Sequence, residues 1–194
     1  MPDDETHGRY EVEVKVRATH ETVREALADR GASALGTVEQ TDTYYDAPDR
    51  DFAETDEALR IRRETVDPDG DATTRTKLTY KGPLVDAGSK TRVEHETVVD
   101  DDGELTGILA GLGYEPAATV EKRRDRFDLD GYTVTLDRVT DLGEFVEVEA
   151  ETNETGVERV RDGARGLLSN LGLDPTEQIR TSYLGLLLTG NSSE

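Results

Sequence analysis

Between residues 9 and 17 the chain alternates charge with valine, reading Glu11-Val12-Glu13-Val14-Lys15. A period of two is that of a β-strand, whose successive side chains point to opposite faces. Here one of those faces carries charge. The pattern recurs at Arg60 and Arg62 around Ile61, Lys77 and Lys81 flanking Leu78 and Tyr80, Arg92-x-Glu94-x-Glu96, Lys122 and Arg124, and Glu147 and Glu149 around Val148. It predicts strands near 9–17, 35–46, 57–65, 73–81, 91–99, 117–128, 132–139 and 144–151. Asp67-Pro68-Asp69-Gly70 and Asp130-Gly131 are turn sequences between them. The period changes to 3.6 in four places. Val23, Ala26 and Leu27, and again Leu105, Ile108 and Leu109, have helical spacing. Thr155-x-x-Glu158 reads as a capping box before the stripe Val157, Val160, Ala164, Leu167, Leu168 and Leu171, and Asp174-Pro175 reads as the start of the last helix.

The pattern is also repeated. Gly31 through Asp46 aligns with Gly113 through Asp128, sharing the glycine, Thr-Val-Glu, an aromatic residue and the final aspartate. With one residue of slippage, Arg9-x-Glu11-x-Glu13 aligns with Arg92-x-Glu94-x-Glu96. Gly31 and Gly113 follow the two matching amphipathic segments and predict C-terminal helix caps. Each half reads strand, helix, then three strands. Eight mostly antiparallel strands with four helices give an α+β fold, and residues 1–194 are expected to form one domain with flexible ends at 1–8 and 190–194.

If the valine faces pack against the helices, the charged faces lie together. Two architectures satisfy this. One is a sheet closed into a tunnel around the charges, which must then be paired, hydrated or bound to ligand. The other is an open sheet with a wet charged face. Composition bears on the choice: the formal net charge is -21, from 44 acidic and 23 basic residues, and the only lysines are Lys15, Lys77, Lys81, Lys90 and Lys122. Four of those five fall on the alternating charged faces. A solvated face would carry the acid that dominates elsewhere, so the closed tunnel is favoured. Arg60, Arg62, Arg92 and Arg124 add to the four lysines, against Glu11, Glu13, Glu94, Glu96, Asp137, Glu147 and Glu149.

That juxtaposition suits a nucleotide or polyphosphate. Arginine forks bind phosphate bidentately, lysine acts as a point charge, and Mg²⁺ or Mn²⁺ takes hard carboxylate oxygens together with substrate phosphates. The acidic balance argues against a nucleic-acid partner. With few lysines it implies a salt-rich cytoplasm. There is no cysteine, hence no disulfide or thiolate metal site. No apolar run approaches membrane-spanning length and the start MPDDETHGR lacks a signal-peptide pattern, so a soluble cytoplasmic protein without a membrane partner is expected.

Glu11-x-Glu13-x-Lys15, Leu59-Arg60-Ile61-Arg62, Thr79-Tyr80-Lys81-Gly82-Pro83, Val120-Glu121-Lys122-Arg123-Arg124, Leu136-Asp137 and Leu142-Gly143-Glu144-Phe145-Val146-Glu147-Val148-Glu149 together resemble the CYTH superfamily of triphosphate tunnel metalloenzymes. Leu112-Gly113-Tyr114 and Ser182-Tyr183 before a leucine-rich end are most similar to its class IV adenylate cyclase branch. The resemblance covers nearly the whole chain. It implies an eight-stranded antiparallel tunnel binding a triphosphate with Mg²⁺ or Mn²⁺. Glu11, Glu13, Glu147 and Glu149 would be the metal-side carboxylates with Asp137 supporting them, and Glu11, Glu13, Lys15 and Asp137 the catalytic set. Lys15, Arg60, Arg62, Lys81, Lys122 and Arg124 would hold phosphates. Lys77 and Arg92 share the face, Arg92 as a residue that closes on substrate, while Glu94 and Glu96 are expected to pair with neighbouring cations.

The remaining signals are weaker. Gly82 through Thr91 has the wrong spacing for a phosphate loop and reads as a mobile loop over one tunnel mouth. Asp67, Asp69 and Asp71 lack the glycine and final glutamate of a calcium loop and read as a turn. His7, His20 and His95 lack ligand spacing, which leaves surface or incidental roles. Three activities stay open: cyclisation of ATP to cyclic AMP and pyrophosphate, triphosphate hydrolysis, and binding of nucleotide or polyphosphate without turnover. The C-terminal leucines allow a homodimer.

Overall fold

The computed structural model describes residues 10–86 and 91–190. Eight antiparallel strands form a closed barrel, in chain order β1 (Tyr10–Arg17), β2 (Ser33–Asp46), β3 (Ala58–Val66), β4 (Thr73–Asp86), β5 (Thr91–Val99), β6 (Glu115–Leu129), β7 (Tyr132–Val139) and β8 (Gly143–Thr152). Around the barrel they run β1-β5-β4-β3-β2-β6-β7-β8 and return to β1. Closure removes the free edges that an open sheet would expose. It also settles the choice left by the sequence, because the charged faces point inward.

The repeat becomes a pseudo-twofold axis. In the two seams that pair equivalent strands, β1 with β5 and β2 with β6, Tyr10 lies opposite Val93 and Gln40 opposite Lys122, and each pair consists of repeat-equivalent residues. Two helices, α1 (His20–Asp29) and α3 (Asp102–Gly111), follow β1 and β5 in the same relation. Both end in the same way: Gly31 (φ 72°) and Gly113 (φ 88°) take the left-handed conformation, while Ala32 and Tyr114 donate back to the carbonyls of Leu27 and Leu109 at 3.0 and 2.9 Å. This is the Schellman closure, which favours glycine because it has no Cβ to strain. The helices differ in cover. Val23 and Leu27 of α1 are buried, but on α3 only Leu109 is, and Ile108 and Leu112 stay exposed.

The outward valines meet the helices as their spacing requires. Val14, Val16, Val134, Leu136, Val146 and Val148 pack with Val23 and Leu27 of α1 and with Ala164, Leu167 and Leu168 of α4 (Val157–Asn170). Burying a valine or leucine side chain stabilises the fold by roughly 1.5–3 kcal/mol each, so this layer is the main apolar core.

Five local expectations are corrected. A four-residue helix, α2 (Phe52–Thr55), capped by Asp51, adds a fifth helix that its length hid from a periodicity reading. The Thr155 capping box does not form: Asn153 accepts from Gly156 instead and caps a short 3-10 turn, Glu154–Gly156, ahead of α4. Asp174-Pro175 opens only a 3-10 turn, Pro175–Glu177, and the last helix is α5 (Tyr183–Gly190). His20 is buried rather than superficial, its ring nitrogen 3.0 Å from the Phe145 carbonyl. Of the loop expected over 82–91, Gly82 to Asp86 continue β4, and 87–90 lie outside the described residues, as do 1–9 and 191–194. Among the described residues, no helix is long and apolar enough to cross a membrane.

Candidate active site

The inward faces enclose a cavity of about 680 Å³. Strand register decides who meets whom. On β1 and β8, Glu13 lies directly opposite Glu149, and Lys15 opposite Glu147. Glu13, Glu147 and Glu149 each bring a carboxylate oxygen within 4.8 Å of the others, which suits one multidentate cation site. Burial, followed by the charges of Glu11, Glu147 and Glu13, pushes the Glu149 carboxyl up to about 8. A carboxyl pushed up by burial and by like charges, which Arg124 only partly offsets, is one that a divalent cation would ionise, so the donor set fits Mg²⁺ or Mn²⁺. Glu11 lines the same cavity outside that cluster, 3.5 Å from Lys81 Nζ.

Facing the carboxylates is a wall of cations. Arg60, Arg62, Lys81, Arg92, Lys122 and Arg124 line the cavity with Lys15. Three of these seven cations, Arg60, Arg62 and Lys122, converge on Asp42, a residue absent from the sequence-based expectation. Asp42 is fully buried and accepts from Arg62 Nε and Nη2 at 2.6 and 2.7 Å, from Lys122 Nζ at 3.2 Å and from Arg60 Nη1 at 3.3 Å. Burial alone would raise its carboxyl, but Lys122, Arg60 and Arg62 outweigh it and hold Asp42 well below the usual carboxylate range. Its signal was present: Asp42 alternates with Gln40 and Tyr44 and occupies the repeat position of Arg124. For Lys122, burial and the neighbouring Arg62 and Arg124 outweigh Asp42 and bring the ammonium down to about 7. Arg60 retains a buried Nε without a hydrogen-bond partner, a donor available to a phosphate oxygen.

Other expected residues are placed differently. Asp137 does not line the cavity: fully buried on β7, it accepts from Arg124 at 2.8 and 2.5 Å and from the Tyr183 hydroxyl at 2.8 Å. Its place is behind Arg124, whose Nη2 also reaches Glu147 at 2.8 Å. Lys77 is likewise outside the lining and pairs with Glu96 at 2.8 Å. Glu94 pairs with Lys81 at 2.6 Å; burial opposes its ionisation, but Lys81, Arg60 and hydrogen bonding bring it down to about 2. Arg92 lines the cavity, yet its guanidinium is engaged by the carbonyl and carboxylate of Asp56 at 2.6 and 2.9 Å, just past α2. Tyr44, Phe52 and Leu59, with Leu184 and Leu188 of α5, complete one part of the wall with apolar surface.

Comparison with known proteins agrees with this geometry. A Methanocaldococcus jannaschii protein, MJ0240, whose name assigns adenylate cyclase activity only provisionally, is 35% identical over 178 residues, covering 91% of this chain and 97% of its own. The structure of the PH1819 protein from Pyrococcus horikoshii superposes with a TM-score of 0.84 at 34% identity, covering 93% of this chain and 99% of the other. HpAC1 from Hippeastrum shares the fold at TM-score 0.64 and 20% identity, over 94% of this chain and 96% of that one. Residues 9–183 match the CYTH domain itself, and the chain belongs to the CYTH family.

Proposed function

We propose that the protein is a metal-dependent enzyme acting on a nucleoside triphosphate, in first place an adenylate cyclase that converts ATP to cyclic AMP and pyrophosphate. The observation that carries this reading is the pairing, within one cavity, of the Glu13–Glu147–Glu149 carboxylate cluster with the cation wall of Lys15, Arg60, Arg62, Lys81, Lys122 and Arg124. An anion store alone would not need clustered carboxylates beside its cations. The 35% identity to MJ0240 along nearly the full length of both chains supports the cyclase choice.

Glu13, Glu147 and Glu149, with Glu11 nearby, would hold Mg²⁺ or Mn²⁺. The chemistry such an ion supplies is Lewis-acid charge on phosphate oxygens and a lowered pKa for the attacking hydroxyl. The chain's own residues bind and orient. The arginine forks and lysines grip the polyphosphate and stabilise the charge that builds on the leaving group. In the cyclase reaction the ribose 3′-oxygen bonds to the α-phosphorus and its proton is released. The bond from that phosphorus to the α,β-bridging oxygen breaks, and pyrophosphate leaves.

Triphosphate hydrolysis is the second reading, with water attacking the terminal phosphorus. It is favoured by HpAC1, described as having a dominant triphosphatase activity on this same fold. Incubation with ATP, and separately with tripolyphosphate, plus Mg²⁺ or Mn²⁺ in high salt tests both. Cyclic AMP with pyrophosphate supports the cyclase, and orthophosphate supports the hydrolase. Tight binding without any product would leave a binding module and overturn both.

A further inference from the structure

The segment after α4 lines the cavity from Arg180 through Gly185 and again at Leu188, and Tyr183 is the residue of it that reaches the charged groups. Ile179 N–H donates to the Lys15 carbonyl at 2.8 Å, which ties the segment to the strand carrying Glu13 and Lys15. Four residues on, Tyr183 opens α5 with its ring against the cavity and its edge on Phe145, the centroids 5.0 Å apart at 65°. Two ammonium groups approach that ring: Lys15 Nζ lies 4.2 Å and Lys122 Nζ 5.4 Å from its centroid. Both distances fall within the range at which a ring quadrupole attracts a cation.

We propose that Tyr183 is a positioning residue for the polyphosphate site, its ring holding the Lys15 and Lys122 ammonium groups in the cavity without occupying their N–H donors. The proposal rests on the polyphosphate reading of the cavity given above. Its physical basis is what else is available to these two lysines. Lys15 is almost fully buried, and its nearest carboxylate oxygens, on Glu13 and Glu147, are 3.6 and 3.8 Å away, beyond hydrogen-bond distance. Lys122 has one bond, to Asp42 at 3.2 Å. A carboxylate in place of the ring would also stabilise the charges, but it would accept the same N–H groups a phosphate needs and would repel the phosphate. An aromatic face attracts the cation and takes no directional donor. The Tyr183 hydroxyl acts on the other side of the site, donating to Asp137 and so buttressing the Asp137–Arg124 pair.

The test replaces Tyr183 with phenylalanine and with phenylalanines of increasing ring fluorination, which drain the quadrupole at nearly constant shape, alongside Tyr183→Leu. Tripolyphosphate binding in EDTA is measured by calorimetry, with a thermal melt of each variant. Affinity should stay within about threefold of wild type for Tyr183→Phe and fall stepwise to about tenfold weaker at full fluorination, as loss of cation–π attraction to two partly desolvated cations requires. Tyr183→Leu, if folded, should match the fully fluorinated ring. An affinity indifferent to fluorination while the wild type binds overturns this proposal and leaves the site reading standing. A loss in Tyr183→Phe as large as that of the fluorinated series also overturns it, because the hydroxyl rather than the ring would then set the affinity. A wild type that does not bind tripolyphosphate overturns the site reading and this proposal together.

Discussion

Arg124 and Asp137 stand opposite each other on β6 and β7 and form a two-bonded pair at 2.8 and 2.5 Å; the pseudo-twofold axis sets beside them Asp42 and Arg62, opposite on β2 and β3, at 2.6 and 2.7 Å with acid and base exchanged. One geometric slot is thus kept in both halves with its polarity reversed. In the first half the carboxylate has gathered Arg60 and Lys122 as well, and in the second the guanidinium has gathered Glu147. The exchange sorts the barrel interior into a side rich in cations and a side rich in carboxylates.

Removing one partner from such a slot leaves buried charge uncompensated. Asp42→Asn should lower stability by about 3–5 kcal/mol, the usual cost of breaking a buried ion pair from one side. Because three cations then lack their anion, tripolyphosphate should raise the melting temperature of the variant more than that of the wild type. Equal shifts in a thermal melt would show that Asp42 does not organise the cation wall.

Neutralising the clustered carboxylates should act on metal rather than on phosphate. Glu13→Gln and Glu147→Gln are each expected to weaken Mn²⁺ binding and metal-dependent turnover by at least about 100-fold, since even outer partners of metal ligands cost 10- to 100-fold. Tripolyphosphate binding in EDTA should persist. Unchanged turnover in Glu13→Gln would remove it from the metal site.

The raised carboxyl of Glu149 has a definite sign. Its folded value of about 8 lies above its ordinary value of 4.5, so the folded chain binds the proton more tightly than the unfolded chain. Its contribution to stability is fully present below 4.5 and is lost as pH rises through about 8. A cation bound there would displace that proton, so Mg²⁺ affinity should rise over the same interval and level off above it. Melting temperature against pH, with and without Mg²⁺, measures both slopes, and Glu149→Gln should flatten the metal-free one.

With a formal charge of -21, repulsion between exposed carboxylates opposes the compact state, and salt screens it. The melting temperature should therefore climb with KCl. A flat series would detach the acidic composition from any adaptation to salt.

Much of the site was legible because period-two alternation places every other residue on one face, and a closed barrel has only one inside. Glu11, Glu13, Lys15, Arg60, Arg62, Lys81, Lys122, Arg124, Glu147 and Glu149 all line the cavity as that rule requires. The rule states which face a residue takes and not how far along the barrel it lies or what it touches. For that reason alternation and motif put Lys77 with the phosphate residues although Glu96 holds it outside the lining, and Asp137 with the metal residues although Arg124 and Tyr183 occupy its oxygens. For Asp42 alternation and the repeat give the face but not the role, because an aspartate between threonines becomes a hub only when β3 and β6 bring three cations to it.

The amino-acid order alone determined the strands, the two equivalent halves, most residues of the inward face and the family, because these depend on period, glycine placement and motifs within a few residues of one another. Tertiary structure decided which inward residues meet. The register of β1 on β8 put Glu13 beside Glu149, the register of β2 on β3 put Asp42 beside Arg62, and the return of the C-terminal segment set Tyr183 under Lys15 and Lys122. These contacts join residues far apart in the chain, and only closure of the barrel sets their distances.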